Sequence, residues 1–169
     1  MKLIAAVDQN WNLGYRGELL FRIPADLKRF RALTTGNVIV MGRKTLLSMP
    51  GGKPLPQRDN IVMTRDTAFD AEGATVAHSI TELFELLRQP AFAGKEVYVI
   101  GGAEIYAQLL PYCDSALITH VNAAREADCK LSDLGLLKNW VVAERSEEQA
   151  HEDLSFSYVT YQNTCPASL

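Results

Sequence analysis

The sequence predicts an α/β fold: one domain on a central, mostly parallel, twisted sheet, with helices on both faces and an antiparallel C-terminal edge hairpin. Three observations carry this. Short apolar runs alternate with helix-period segments through the first two thirds of the chain, the pattern of strands joined by crossover helices. Runs such as Asn37 to Met41 are apolar throughout, as suits strands covered on both faces. The last third instead holds two long strand-like segments with no helix between them. No repeat, low-complexity tract or Pro/Ser-rich linker interrupts the chain, so residues 1–163 read as one domain, and the tail 164–169 is expected to be loose.

In order, Lys2 to Val7 reads as a first strand, and residues 8–23 as a long irregular surface loop. Pro24 to Leu33 reads as a helix: proline suits a first helical position, and Leu27, Phe30 and Leu33 recur at helical spacing. Asn37 to Met41 is a second strand. Gly42-Arg43-Lys44-Thr45 then leads into a short helical segment, Leu46 to Met49, and Pro50 to Asn60 is rich in turn residues. Ile61 to Thr64 and Ala74 to Ala77 are the third and fourth strands. Ser79 with Glu82 forms a capping-box pattern before Leu83, Phe84, Leu86 and Leu87. Glu96 to Ile100 is a fifth strand, followed by Gly101-Gly102 and a helix from Ala103 to Leu110 that stops near Pro111. Ser115 to Val121 is a sixth strand. Trp140 to Ser146 and Ser155 to Gln162 form the closing hairpin.

Composition removes several classes of function. Net charge is −3 and no basic stripe is present, which argues against a nucleic-acid partner. The opening apolar run is too short for a signal peptide or a membrane span, so a cytoplasmic protein with no membrane partner is expected. Cys113, Cys129 and Cys165 are widely spaced, with no CxxC pair or His-Cys cluster; they read as reduced thiols, and no metal site is expected. No exposed apolar stripe is evident, so a monomer is expected.

Two strand-to-helix junctions have the makings of anion sites: Gly42-Arg43-Lys44-Thr45 and Gly101-Gly102-Ala103-Glu104. Glycine lets the backbone approach a ligand, and a helix start offers free N–H groups. Each could equally be a tight turn, but two in one small sheet suit a ligand with phosphates at two places, such as a dinucleotide. Neither fits GxGxxG or GxxxxGK[ST], so an ordinary dinucleotide fingerprint or P-loop is not supported. Asp26 lies in the first turn of its helix among Ile23, Leu27 and Phe30. Spacing leaves two readings: an exposed acid that favours the helix dipole, or a partly buried carboxyl raised in pKa and aimed into the sheet's crevice. His78, His120 and His151 are isolated, and no Ser-His-Asp or Cys-His set can be assembled, so cofactor-borne chemistry fits better than hydrolysis.

Several segments, in this order, give a specific match: LIAAVDQN, LGYRGELL, IPADLKRF, VIVMGRKT, GGKPLPQRDNIVMTR, VYVIGGAEIYAQLLP, LITHV and SYVTYQ. Together they resemble the dihydrofolate reductases, particularly the bacterial chromosomal type, over nearly the whole chain. The resemblance implies an NADPH-dependent oxidoreductase that reduces dihydrofolate to tetrahydrofolate for one-carbon metabolism and binds antifolate inhibitors. It implies that Asp26 bonds the 2-amino group and N3 of the pterin, that Thr119 helps hold the amino group, and that Ile4 and Ile100 offer carbonyls near the ring, with Ala6 close by. Leu27, Phe30, Met49 and Leu55 would pack the pterin and benzoyl parts. Arg58, assisted by Lys53, would grip the glutamate carboxylate. On the cofactor side it implies Gly101, Gly102, Ala103, Glu104 and Ile105 at the pyrophosphate, with a cis peptide at the glycine pair. Gly42, Arg43, Lys44, Thr45, Thr64, Arg65 and His78 would surround the adenosine end, and Tyr106 would stand beside the nicotinamide. Residues 12–20, including Leu13, Gly14, Glu18 and Leu19, would form a lid.

The chain departs from the family pattern in places. Phe21 stands where tryptophan is usual, so the indole N–H that ordinarily holds a water near the acid is missing. Leu20 replaces a stiffer residue, Glu104 replaces a basic one, and ADCKLSDL is an unusual version of the loop that supports the lid. Two other readings fit the general pattern: a reductase of the same topology acting on a ribityl-aminopyrimidine, and a non-catalytic nucleotide- or pterin-binding module. The first need not carry the IPADL acid or the PLPQR arginine, and the second has no use for Asp26.

Overall fold

The structure is a computed structural model and describes residues 1–168; Leu169, the end of the expected loose tail, lies outside the described residues. In chain order the strands are β1 (Lys2–Val7), β2 (Asn12–Tyr15), β3 (Glu18–Leu19), β4 (Val38–Gly42), β5 (Asp59–Met63), β6 (Ala74–Ala77), β7 (Val97–Gly101), β8 (Ser115–Val121), β9 (Cys129–Lys130), β10 (Trp140–Arg145), β11 (Gln149–His151) and β12 (Leu154–Asn163). The helices are α1 (Pro24–Thr34), α2 (Arg43–Ser48), α3 (Ile80–Leu87) and α4 (Ala103–Leu109).

The main sheet runs β10-β12-β8-β1-β7-β4-β5-β6. The pairs from β8 to β6 are parallel, whereas β12 is antiparallel to β8, β10 is antiparallel to β12, and β11 folds back on the start of β12. Side chains of a strand alternate between faces, and here the alternation divides the core. Leu3, Ala5, Val7, Val38, Val40, Ile61 and Val99 point to one face, where Leu83 of α3 and Ile105 and Leu109 of α4 cover them. Ile4, Ile39, Met41, Val62 and Tyr98 point to the other, against Phe30 and Leu33 of α1 and Leu46 of α2. Neighbouring parallel strands β4 and β7 therefore send their helices to opposite faces, and that divergence opens a crevice beyond their carboxyl ends.

Three features differ from the expectation. The antiparallel hairpin stands at the edge as expected, but the segment between its two strands adds a third, β11, which folds back on the start of β12. The short helix starts at Arg43, directly after Gly42, rather than three residues later. Most notably, residues 8–23 are not irregular, since β2 and β3 form a hairpin that joins β9 in a second, three-stranded sheet. The capping pattern at α3 is present: the Ser79 hydroxyl accepts the Glu82 N–H at 3.1 Å, and the Glu82 carboxylate accepts the His78 N–H at 2.7 Å. In the tail, Thr164 N–H donates to the Asn139 carbonyl at 2.7 Å and Ala167 N–H to the Pro111 carbonyl at 2.8 Å.

Asp8 explains why the first loop is ordered. Its carboxylate is fully buried and accepts the N–H groups of Asn10 and Asn12, the Asn12 amide and the N–H of Arg125, at 2.8 to 3.1 Å. Burial by itself would raise this carboxyl, but the four donors outweigh it and hold the group below its ordinary value. Asp8→Ala leaves these N–H groups unpaired and is expected to destabilise the fold by about 2–4 kcal/mol at pH 7 in urea unfolding. Because the folded-state pKa is lowered, the contribution is complete above the unfolded value of about 4 and is lost as pH falls through the folded one. The difference between wild type and variant should therefore shrink toward pH 3, and a difference independent of pH would contradict this role.

Candidate active site

Helix α1 starts at proline with no side-chain cap, and its first turn is closed by the Leu27 N–H donating to the Ile23 carbonyl at 3.0 Å. Asp26, in that turn, is half-buried, and the Thr119 hydroxyl on β8 donates to its carboxylate at 2.5 Å. Of the two readings open to the sequence, the structure selects the buried acid. Burial raises this carboxyl above its usual range, although the Thr119 bond and the charge of Arg29 pull it down. The site thus keeps a carboxyl whose charge is only partly compensated, at the rim of an apolar face.

That face is the one shared by α1 and α2. Ile4, Ile100, Phe30, Met49 and Leu55 all belong to its cluster, and Leu27 on the neighbouring α1 position is 43% exposed, an uncovered apolar side chain beside the acid. Ala6, two residues beyond Ile4 on β1, pairs in register with Thr119. Arg58 lies farther along. Its Nε donates to the Pro56 carbonyl at 3.0 Å and one terminal nitrogen to the buried Thr34 hydroxyl at 3.1 Å. Burial and the nearby Arg31 lower its pKa, so two guanidinium groups face one region with no carboxylate bonded to Arg58 among the described residues. Lys53 is exposed.

On the other side of the crevice the two glycine junctions meet. Met41 pairs with Gly101 across β4 and β7. A Cβ at Gly42 would stand 3.0 Å from Ile105 of α4, and one at Gly102 would stand 3.4 Å from the Thr45 hydroxyl of α2. Gly42 leaves the Ile105 side chain little room to spare, whereas Gly102 would admit a Cβ at ordinary contact distance. Gly101–Gly102 is a cis peptide, and Gly101 has φ of +123°, a conformation that favours glycine. Ala103 and Glu104 open α4, and Glu104 stands 4.0 Å from Arg65, both exposed. Arg43 pairs with Asp66 at 2.8 Å, and His78 Nδ1 contacts the Thr64 carbonyl at 2.9 Å, so the β5 and β6 ends are tied together beside exposed Lys44. Tyr106 is buried and donates to the Ile4 carbonyl at 2.7 Å, joining α4 to the centre of β1. Burial pushes its hydroxyl far up, so it remains a neutral donor.

The β2–β3 hairpin, which carries Leu13, Gly14, Glu18 and Leu19, follows the carboxyl end of β1 and pairs with β9. Gly14 allows close approach: a Cβ there would lie 2.6 Å from the Glu18 carbonyl and 3.4 Å from Cys129 Sγ. Three residues that sequence reasoning did not single out hold the hairpin and the segment that leads from it into α1. Asp128 accepts the Arg16 N–H at 2.8 Å and donates its own N–H to the Gly14 carbonyl at 3.1 Å. Arg125 donates to the Leu20 carbonyl at 2.6 Å while its guanidinium stacks 4.6 Å from the centre of the buried Phe21 ring. A cation therefore lies over the ring where the family usually has an indole. Asp8, in turn, anchors the backbone of Arg125. Only Asp8, a strand-end acid followed by two asparagines, had a local signal; the partners of Arg125, Asp128 and Arg31 are more than twenty residues away in the chain.

The raised carboxyl has a thermodynamic consequence. A folded-state pKa above the unfolded one means stability is complete below about pH 4 and falls as pH rises through the folded value. Asp26→Asn keeps an acceptor for Thr119 and removes the charge. It is expected to melt at a higher temperature than wild type at pH 7, with the gain vanishing below pH 4. An equal or lower melting temperature at pH 7 would count against an acid held out of water.

Comparison with known proteins places these features in a family. The family model described as dihydrofolate reductase matches residues 1–163. Dihydrofolate reductase type 3 of Salmonella typhimurium is 36% identical over 157 residues, 93% of each chain. Dihydrofolate reductase of Bacillus subtilis (strain 168) is 32% identical over 164 residues, 96% of this chain and 94% of the relative. The solved dihydrofolate reductase from Enterococcus faecalis, complexed with NADP(H) and RAB-propyl, superposes with a TM-score of 0.83 at 30% identity, over 96% of this chain and 95% of that one. A half-buried acid on the first helix, two abutting glycine junctions and full-length similarity agree, and the chain belongs to the dihydrofolate reductase family.

Proposed function

We propose that the protein reduces 7,8-dihydrofolate to 5,6,7,8-tetrahydrofolate with NADPH, supplying the reduced carrier used in one-carbon metabolism. The observation that carries this is Asp26: a carboxyl raised by burial, bonded by Thr119 and flanked by uncovered Leu27 at the crevice mouth. A pterin offers such a group a flat apolar body and an amino–N3 edge with two donors. The carboxylate accepts both, and Thr119 fixes its orientation. Arg58, with Arg31 beside it, suits the glutamate carboxylate of the substrate through a bidentate pair.

The crevice between β4 and β7 fits a dinucleotide. Its glycines leave the space that a Cβ would fill, and Arg43, Lys44 and Arg65 surround the region with positive charge, which favours a 2′-phosphate. Gly101, Gly102 and α4 would hold the pyrophosphate, and Tyr106 would define the floor near the nicotinamide. When bound, the reduced nicotinamide supplies the hydride that goes to pterin C6. Asp26 contributes by its charge: an anion fixed near the pteridine makes N5 more basic, and a water delivers the proton. The β2–β3 hairpin, braced by Asp128 and Arg125, covers the reacting pair and limits water there.

The test is oxidation of NADPH, followed by absorbance, with dihydrofolate against a ribityl-aminopyrimidine substrate; rapid turnover of dihydrofolate alone is expected. Asp26→Asn should lower turnover about 100-fold at pH 7 and less at acid pH, where the solvent protonates N5 unaided. Wild-type turnover in that variant across the pH range would remove Asp26 from the mechanism. Arg58→Leu should raise the KM for dihydrofolate about tenfold to a hundredfold with kcat nearly unchanged, corresponding to about 1.5–3 kcal/mol of lost charged hydrogen bonding. The effect should disappear with a pterin that lacks the glutamate.

A further inference from the structure

Arg29 sits three residues after Asp26 on α1, so both project from the same side of the helix. Its guanidinium lies over the Tyr158 ring, 4.2 Å from the ring centre. Tyr158 of β12 stands directly opposite Thr119 of β8 in the antiparallel register, and side chains of such a pair leave the sheet on the same face. Thr119 is the residue that donates to Asp26. The four residues therefore close a loop: Asp26 on Thr119, Thr119 beside Tyr158, Tyr158 under Arg29, and Arg29 one helical turn from Asp26.

The charge of Arg29 is not used elsewhere: among the described residues no carboxylate lies within 4.0 Å of it. Stacking on an aromatic face holds the guanidinium in place without neutralising it. The groups facing Asp26 are Thr119 from β8, Arg29 from α1, Tyr158 from β12 and Tyr106 from α4. Both tyrosines are raised by burial and stay neutral. Arg29 is then the one formal charge acting on the acid among the described residues.

We propose that Arg29, clamped on the Tyr158 ring, is a positioning residue of the pterin site whose fixed charge sets the pH at which Asp26 takes up a proton. This rests on the reading of Asp26 as the functional acid. Burial of Asp26 favours its neutral form, and Arg29 keeps the anion available down to lower pH. Its positive charge also opposes protonation of a bound pterin, so removing it moves both titrations in the same direction, upward.

The test is carbon-detected NMR titration of labelled aspartate in the ligand-free protein, together with the pH profile of hydride transfer. In Arg29→Met the Asp26 midpoint should move up by about half a unit or more, as one charge acting through partly wet protein requires. The falling limb of the rate profile should follow it upward. Arg29→Lys keeps the charge but not the planar stack and should shift less, and Tyr158→Leu, which frees the guanidinium, should shift partway toward Arg29→Met. An unmoved midpoint in Arg29→Met, or the same midpoint in Arg29→Met and Arg29→Lys, would overturn the proposal. The NMR midpoint does not depend on activity, so loss of the Asp26 assignment, read separately from turnover of Asp26→Asn, remains distinguishable from failure of the Arg29 proposal.

Discussion

Strand β1 is paired in parallel along both edges, with β7 and with β8, and the site depends on that double pairing. A strand hydrogen-bonded on both sides has only its two faces left for side chains. Leu3, Ala5 and Val7 take one face; Ile4 and Ala6 take the other. Residues at the second face, with Thr119 on β8 and Ile100 on β7, form the wall against which α1 lays Asp26. A slip of one residue in β1 would exchange the faces and place Thr119 opposite the wrong side chain. Tyr106 reinforces the register from the far side, its hydroxyl reaching the Ile4 carbonyl.

The two halves of the site solve different problems. One half holds the two glycine junctions, where a Cβ at Gly42 would press on Ile105 at 3.0 Å and one at Gly102 would just touch the Thr45 hydroxyl at 3.4 Å. The other half keeps a carboxyl partly out of water. That arrangement works against stability, since the Asp26 carboxyl is raised by burial, and a single hydroxyl and a stacked cation offset only part of the cost. Asp8 is the contrasting case. It is also buried, but four donors satisfy it, so its pKa is lowered and it acts as a structural anchor. Two aspartates in one small domain thus take opposite roles because of how many donors surround each.

Asp8 also links elements that lie far apart in the chain. Its carboxylate holds the start of the β2 segment and the backbone of Arg125. The Arg125 side chain then grips the Leu20 carbonyl and covers Phe21. The segment from the β2–β3 hairpin into α1 is in this way tied through Arg125 to the end of β1. Phe21 carries the Arg125 guanidinium on its face, and that same guanidinium donates to the Leu20 carbonyl.

The sequence by itself determined eight of the twelve strands, the four helices and the two glycine junctions. These come from local causes: periodicity, a proline at a helix start, and glycines where no Cβ fits. It also misjudged residues 8–23, whose polar and aromatic composition reads as loop because their order comes from Asp8 and from β9, more than a hundred residues later. Whether Asp26 was an ordinary helix-start acid or a buried one could not be read from spacing, because its environment is made by Thr119 and Tyr158, residues distant in the chain. The same holds for Arg29 on Tyr158, Arg31 near Arg58 and Arg125 on Phe21. Side-chain identity is local, but the desolvation and partner charges that set what a carboxyl or guanidinium does are properties of packing, and only the tertiary structure supplies them.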